Sequence, residues 1–167
     1  DKPIREGGIG LTVSGPIELD CIVSQGCRPI GEHYRVTKTQ GNVVLELGGR
    51  PALDVLRDLA RSVGAKERDF LQGGLLLGGV IDEHKSYFGR GDFLVRSILG
   101  IDRKRKGIAA GEFYRLGKTV QFHVRDAQTA VEDLQLLLDA QQLGTQPFAG
   151  LLVTCNGRGR SLFHEED

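Results

Sequence analysis

The sequence predicts an α+β fold in which a mostly antiparallel sheet packs against two helices. Short apolar runs of strand length, separated by turns rich in Gly and Pro, occupy most of the chain. Two longer segments place their apolar residues at helical spacing. The strand-like runs outnumber the helices and do not alternate with them, which favours antiparallel pairing.

Alternation of apolar and polar residues predicts the strands. The clearest strand spans residues 119–125, where three apolar residues alternate with Gln121, His123 and Arg125. Gly78 and Gly79 interrupt another apolar run and indicate a bulge or a close approach of two backbones. Further strands are predicted at 10–14, 17–24, 34–38, 43–47, 75–81, 93–99, 108–110 and 149–155.

The two predicted helices have defined beginnings. Pro51 opens the first, because proline at the first helical position loses no required N–H, and Gly64 ends it. Asp126 caps the second, which ends before residues 144–147. The predicted buried face of the second helix consists of Ala127, Ala130, Val131, Leu134, Leu137 and Leu138.

Composition excludes several classes of protein. Lys plus Arg and Asp plus Glu both total 22, so the net charge is zero and nucleic acid is not expected as a partner. No segment approaches the roughly 20 unbroken apolar residues of a membrane span. Three cysteines without a C-x-x-C pair fit a reducing compartment, so a cytoplasmic location is expected. Because the chain starts at Asp1 and contains no Met, we expect a piece of a longer protein.

Two loops that follow apolar runs combine Gly, Arg and Cys. Backbone N–H groups of glycine-rich turns form anion-binding concavities, and arginine adds a planar fork that matches a carboxylate. These loops and the polar face of strand 119–125 predict a site for a small anionic or zwitterionic ligand, although solvated turns would have the same composition. The candidate residues are Gln25, Gly26, Cys27, Arg28, Gln121, His123, Arg125, Cys155, Asn156, Gly157, Arg158, Gly159 and Arg160. We expect Arg28, Arg125, Arg158 and Arg160 to compensate an anionic group.

Other chemistries have weaker signals. Cys27 or Cys155 would be a nucleophile if a histidine lay beside it, but no spacing selects a partner. The histidines lack metal-ligand spacing, so no metal is expected, and a single axial haem ligand leaves no spacing to test. The tripeptide at 90–92 matches an adhesion motif by chance, and the basic run at 103–106 is typical of a solvated turn.

Five sequence blocks resemble the FIST sensory domain family. Its C-terminal half is similar to GRGDFLVRSILGID at 89–102, GKTVQFHVRD at 117–126 and CNGRGRSLF at 155–163. The end of its N-terminal half is similar to VSQGCRPIG at 23–31 and GRPAL at 49–53. We therefore assign residues 1–49 to the end of the N-terminal half and 50–167 to a truncated C-terminal half.

This resemblance implies a cytoplasmic signal-input module with no established catalytic residues. Family members occur alone, attached to prokaryotic receptors and kinases, or joined to an F-box in ubiquitin ligases. The expectation is a non-enzymatic sensor of an amino acid or other small carboxylate, without a cofactor. Its expected partners are the missing N- and C-terminal segments of the module and a fused or separate signalling protein. Haem-based sensing of nitric oxide, a protein-interaction platform and an enzyme with a Cys nucleophile stay open as alternatives.

Overall fold

The computed structural model describes residues 10, 12–64, 74–144, 146–155, 157 and 159–163. These residues form an antiparallel sheet of seven strands, two long helices and one helical turn, which confirms the predicted α+β class. In chain order the elements are β1 Cys27–Gln40, β2 Val43–Leu47, β3 Arg50–Pro51, α1 Ala52–Ser62, β4 Leu75–Val80, β5 Phe93–Asp102, β6 Gly107–Ala110, β7 Thr119–Arg125, α2 Ala127–Gln142 and α3 Arg160–Phe163.

Six of the strands close into a ring. Around it the order is β1, β7, β4, β5, β6 and β2, and β2 pairs again with β1. Closure depends on two long strands that change partner along their length. Residues 27–35 of β1 pair with β7 and residues 36–40 pair with β2, while β5 leaves β4 for β6 after residue 97. Bulges interrupt the register of both long strands, which lets each strand bend from one half of the ring to the other.

The core lies between the sheet and α1. The helix buries Ala52, Val55 and Leu59, because its apolar residues recur at helical spacing on one face. The sheet contributes buried side chains from five strands to the same cluster, and the partly buried Ile98 of β5 packs against it. Its largest fully buried members there are Val36, Val44, Leu47, Leu77, Ile108, Val120, Phe122 and Val124.

β7 is buried on both faces. Its apolar residues face the core, and its polar residues Thr119, Gln121 and His123 lie on the opposite face with at most 7% of their surface exposed. The alternating residues of β7 therefore lie on two buried faces. The apolar residues face the core, and the polar residues face a surface that other elements cover. This polar face positions the candidate site.

Three predicted strands, at 10–14, 17–24 and 149–155, are absent from the described chain. The described residues of 10–26 form no strand, and Ile17, Leu19 and Val23 are each more than half exposed. Residues 149–155 were predicted to be a buried strand, but they form none and Leu151 and Val153 are exposed. Apolar alternation yields a strand only where a neighbouring strand completes the hydrogen bonds. In the described chain neither segment pairs with another strand, so no ladder completes its backbone hydrogen bonds.

The predicted loop at 25–31 begins a strand instead, since β1 starts at Cys27. Pro29 is tolerated there because this half of β1 has a paired strand on one side only. Asp126 caps α2 as predicted and accepts from the N–H of Gln128 at 3.1 Å. However, α2 buries only Thr129 and Ala130 of its first turns, and the predicted face member Val131 is 57% exposed.

No helix in the described part of the chain is long and apolar enough to cross a membrane.

Tyr114 provides a test of the packing between β4 and the connection that follows β6. Its hydroxyl is buried and donates to the carbonyl of Leu77 at 2.7 Å, and burial raises the pKa of the phenol. We expect Tyr114→Phe to lower the free energy of unfolding by about 1–2 kcal/mol in urea titrations, because the buried carbonyl loses its donor. Tyr87→Phe is the matched control, since Tyr87 is 84% exposed and its hydroxyl stays in water. Equal stability of both variants would contradict the prediction.

Candidate functional site

His123 lies at the centre of the polar face of β7. Its side chain is 3% exposed, and Nδ1 lies 3.0 Å from the carbonyl oxygen of Gln121. A carbonyl only accepts, so Nδ1 carries the proton and Nε2 keeps a lone pair in the neutral ring. Burial lowers the pKa of His123 to about 4, the Gln121 carbonyl opposes this shift, and His33 adds to it. The imidazole is therefore neutral at physiological pH.

Gly78 makes room for this imidazole on the sheet. A Cβ at Gly78 would lie 2.6 Å from Cε1 and 2.8 Å from Nδ1 of His123, which is closer than carbon atoms pack. The close approach at Gly78 is therefore between the backbone of β4 and the imidazole ring of His123, and not between two backbones. Phe93 packs against the imidazole edge-on, and the two ring centroids lie 5.0 Å apart. His33 stacks on the same Phe93 ring at 5.8 Å.

The side chain of His123 lines a small cavity. In the part of the chain that the structure describes, every buried side-chain nitrogen or oxygen has a hydrogen-bond partner. Among the described residues Nε2 of His123 has no such partner, so this atom is not fully buried, and its ring lines the cavity. The cavity measures about 30 Å³, enough for about two water molecules. It is lined by Val23, Gln25, Gly26, Cys27, Arg90, Gly91, Phe93, Val95, His123 and Asp133.

The segment before β1 forms one wall of the cavity, and Gln25 fixes it. The side-chain amide of Gln25 donates from Nε2 to the carbonyl of Phe93 at 2.6 Å and accepts from the N–H of Val95 at 2.9 Å. This pair of bonds, which we call the Gln25 clasp, repeats what a neighbouring strand would make on the free edge of β5. Ser24 extends the attachment by donating to Asp133 of α2 at 2.6 Å.

The cavity has groups of both charges at its rim. Arg90 lies 3.5 Å from Glu132, and both side chains are more than 40% exposed. Asp133, one residue further along α2, supplies a carboxylate that lines the cavity. The loop that carries Arg90 is anchored at its start by Glu83, which accepts from the N–H and hydroxyl of Thr119 at 2.9 and 2.7 Å. The rim therefore offers a cation, an anion and a neutral acceptor to one small ligand.

Four of the thirteen predicted site residues line this cavity, namely Gln25, Gly26, Cys27 and His123. The thiol of Cys27 donates to the carbonyl of Gln25 at 3.2 Å. Gln121 does not line the cavity, because its amide donates to the carbonyl of Gly31 at 2.8 Å.

Arg28 also lies away from the cavity. Its guanidinium pairs with Asp126 at 3.4 Å, and Arg28 is not among the residues that line the cavity.

The second predicted loop meets the same end of β7. A Cβ at Gly157 would overlap Nη1 of Arg125, and Arg125 is the β-sheet partner of Cys27. The two loops are thus brought together at one strand end, although neither Arg125 nor Gly157 lines the cavity. Cys155 is exposed and Gly159 is half-buried. Asn156, Arg158 and the side chain of Arg160 lie outside the described residues.

Sequence reasoning missed Arg90, Phe93 and Asp133. Arg90 lies in the tripeptide at 90–92, which the sequence analysis interpreted as a chance match to an adhesion motif. That tripeptide was the sequence feature that could have pointed to Arg90. Asp133 reaches the cavity only because α2 folds back over the polar face of the sheet. No local pattern marks such a residue.

The described residues do not fit haem. His123 lines a cavity of about 30 Å³, which is far too small for a porphyrin. His33 and His84 are exposed side chains. Among the described residues, no group of three His, Cys, Asp or Glu side chains is arranged to hold a metal ion.

Comparison with known families gives two adjoining matches. The model of the FIST N domain matches residues 1–50, and the model of the FIST C domain matches residues 52–167. Together they cover almost the whole chain, in the order that the sequence blocks indicated.

Longer mycobacterial proteins are similar to the chain. An uncharacterized protein of Mycobacterium tuberculosis strain CDC 1551 / Oshkosh and one of Mycobacterium bovis strain ATCC BAA-935 / AF2122/97 are each 45% identical over 166 residues. These residues are 98% of this chain and 43% of each relative, so the chain spans less than half of their length. No solved structure matches significantly.

Gly78 tests the packing of the imidazole. We expect Gly78→Ala to lower the free energy of unfolding by about 1–3 kcal/mol, because the added methyl group forces the His123 ring or β4 to move. Gly100→Ala is the control, since a Cβ at this strand position meets no atom within 4 Å. Chemical denaturation measures both variants. Unchanged stability of Gly78→Ala would show that the ring does not lie on this strand.

The neutral state of His123 predicts a pH dependence of stability. The unfolded imidazole titrates near 6.5 and the folded one near 4, so only the unfolded state gains a proton between these values. The stabilisation is complete above about pH 7, and about 3 kcal/mol is lost as the pH falls to 4. We expect His123→Gln to flatten the slope of unfolding free energy between pH 4.5 and 7. The control His84→Gln, at an exposed histidine, retains the wild-type slope. Identical slopes in all three proteins would show that folding does not lower the pKa of His123.

Proposed function

The chain belongs to the FIST family, and on that premise we propose that it is a non-catalytic sensory module that binds a small zwitterion of the amino-acid class. FIST domains are signal-transduction sensory domains. The proposed binding site is the cavity between His123, the Gln25 clasp and α2. Ligand binding there would be passed on to a fused or separate signalling partner in the cytoplasm.

The observation that carries the proposal is the presence of opposite charges at one small cavity. Arg90 and Asp133 line it together, and the neutral imidazole of His123 adds an acceptor between charged groups. A plain carboxylate would be attracted by Arg90 but repelled by Asp133. An α-amino acid satisfies both, because its carboxylate pairs with the guanidinium and its ammonium donates to Asp133 and to Nε2 of His123.

The rest of the cavity limits the size of the ligand. Val23, Phe93 and Val95 form an apolar wall, which favours a small aliphatic side chain. Because the closed cavity of about 30 Å³ holds only about two waters, an amino acid would enter it when the Gln25 clasp opens, and Arg90 and Asp133 at the rim would bind its charged groups. All of these contacts come from protein groups, so the proposed function requires no cofactor.

The state of Cys27 supports binding over catalysis. Its sulfur donates to the Gln25 carbonyl at 3.2 Å, and a donating thiol is protonated. The thiolate is the nucleophilic form of cysteine, and a protonated thiol in a structural hydrogen bond attacks slowly.

Calorimetric titration of the 167-residue chain tests the proposal. We expect L-alanine to bind at least tenfold more tightly than propionate or ethylammonium, because each of these probes keeps only one of its two charged groups. Arg90→Ala and Asp133→Asn are expected to weaken alanine binding about tenfold each.

Two exposed residues provide matched controls. Arg115→Ala and Asp139→Asn remove the same charges from positions that do not line the cavity, and both should bind alanine like the wild type. Propionate binding as tightly as alanine would refute a zwitterion site. A lack of heat with glycine, alanine and the other amino acids would refute the proposed function as a whole.

A further inference from the structure

One end of the molecule carries a surplus of positive charge, although the whole chain is neutral. This end, which we call the basic end, comprises α1 and the tip of the β5–β6 hairpin at residues 102–106. It contains six basic side chains and three acidic ones. The basic residues are Arg57, Arg61, Arg103, Lys104, Arg105 and Lys106, and the acidic residues are Asp54, Asp58 and Asp102.

The acidic side chains of the basic end are already paired. Asp54 lies 3.2 Å from Arg57 and 3.1 Å from Lys106, and Asp102 lies 2.6 Å from Arg105. Asp58 pairs with Arg50 and Arg61. Within the described chain, Arg103 and Lys104 have no ion-pair partner. The basic end can therefore pair with additional carboxylates.

The hairpin tip is fixed against the first turn of α1. The N–H of Leu53 donates to the carbonyl of Lys106 at 2.9 Å, and the ammonium of Lys106 donates to Asp54. Between α1 and the end of β5 this contact leaves a groove of about 340 Å³. The groove is lined by Leu53, Leu56, Arg57, Ala60, Ile101 and Arg103.

The floor of the groove is apolar because α1 covers only part of its sheet. Ile101 of β5 and Ile108 of β6 are direct partners and point to the same face. Ile108 lies under the helix and is fully buried, whereas Ile101 is 50% exposed. Leu56 and Ala60, one helical turn apart, supply the opposite wall.

We propose that this groove docks an amphipathic helix of a partner protein, with acidic residues flanking its apolar stripe. Apolar residues at positions i, i+4 and i+7 of such a helix would fill the space between Leu56 and Ile101. Its flanking carboxylates would pair with Arg103 and Lys104. The groove is concave, so a flat bilayer would not reach its apolar floor. The docking is separate from the cavity at His123 and does not depend on what that cavity binds.

Fluorescence anisotropy with the 167-residue chain tests the docking. The probe is a fluorescein-labelled 15-residue helical peptide with Leu at i, i+4 and i+7 and Glu on both flanks. A scrambled peptide of the same composition is its control. We expect Ile101→Ser to weaken binding of the ordered peptide about tenfold, because the floor loses its apolar contact. Arg103→Ala is expected to weaken binding about two- to fivefold and to reduce its dependence on salt.

Two variants serve as matched controls. Leu99→Ser changes an exposed apolar residue of β5 outside the groove, and Arg115→Ala changes an arginine outside it. Both should bind the ordered peptide like the wild type, and unchanged thermal midpoints would confirm folding of all variants.

Three results would overturn the proposal. They are equal binding of the scrambled peptide, no effect of Ile101→Ser and Arg103→Ala, and association with phosphatidylglycerol-containing vesicles in place of the peptide.

Discussion

The two long strands, β1 and β5, each carry the sheet from one half of the ring to the other, and this shared geometry sets where everything else lies. Because their bulges absorb the bend, the ring closes with only six strands. Closure places one face of β7 against the core and α1, and it leaves the other face to α2 and the loop before β5. The candidate site exists because this second face is covered by elements that do not fill it.

Burial of an imidazole between two strands costs free energy. Burial removes the charged form of His123 at physiological pH, and a single carbonyl contact satisfies only one of its nitrogens. A phenylalanine would pack against Phe93 without that cost. The arrangement makes physical sense where the second nitrogen is used, and the ring that carries Nε2 lines the cavity. Gly78 supports the same conclusion, since this strand gives up a side chain to admit the ring.

Much of the architecture is readable from local patterns, because helix caps and alternating strands depend on neighbouring residues. Asp126 and the alternation around His123 were read correctly for that reason. The alternation at residues 17–24 forms no strand, because no neighbouring strand pairs with this segment. In the site, Gln25 and His123 stood in recognisable motifs, whereas Asp133 reaches the cavity through the path of α2 over the sheet. Proximity of this kind depends on the whole topology and leaves no trace in a short window.

The Gln25 clasp has a mechanical consequence. Both ends of one primary amide are tied to the backbone of β5, so the wall moves only when two hydrogen bonds break together. A ligand larger than a few atoms would therefore bind only when both hydrogen bonds of Gln25 break. Its binding and its dissociation would both cross this opening barrier. Since residues 12–24 lead directly into Gln25, displacement of the wall would pull on a polypeptide segment that lies outside the sheet. If the proposed ligand binds there, occupancy of this small cavity would change the position of a much longer stretch of chain.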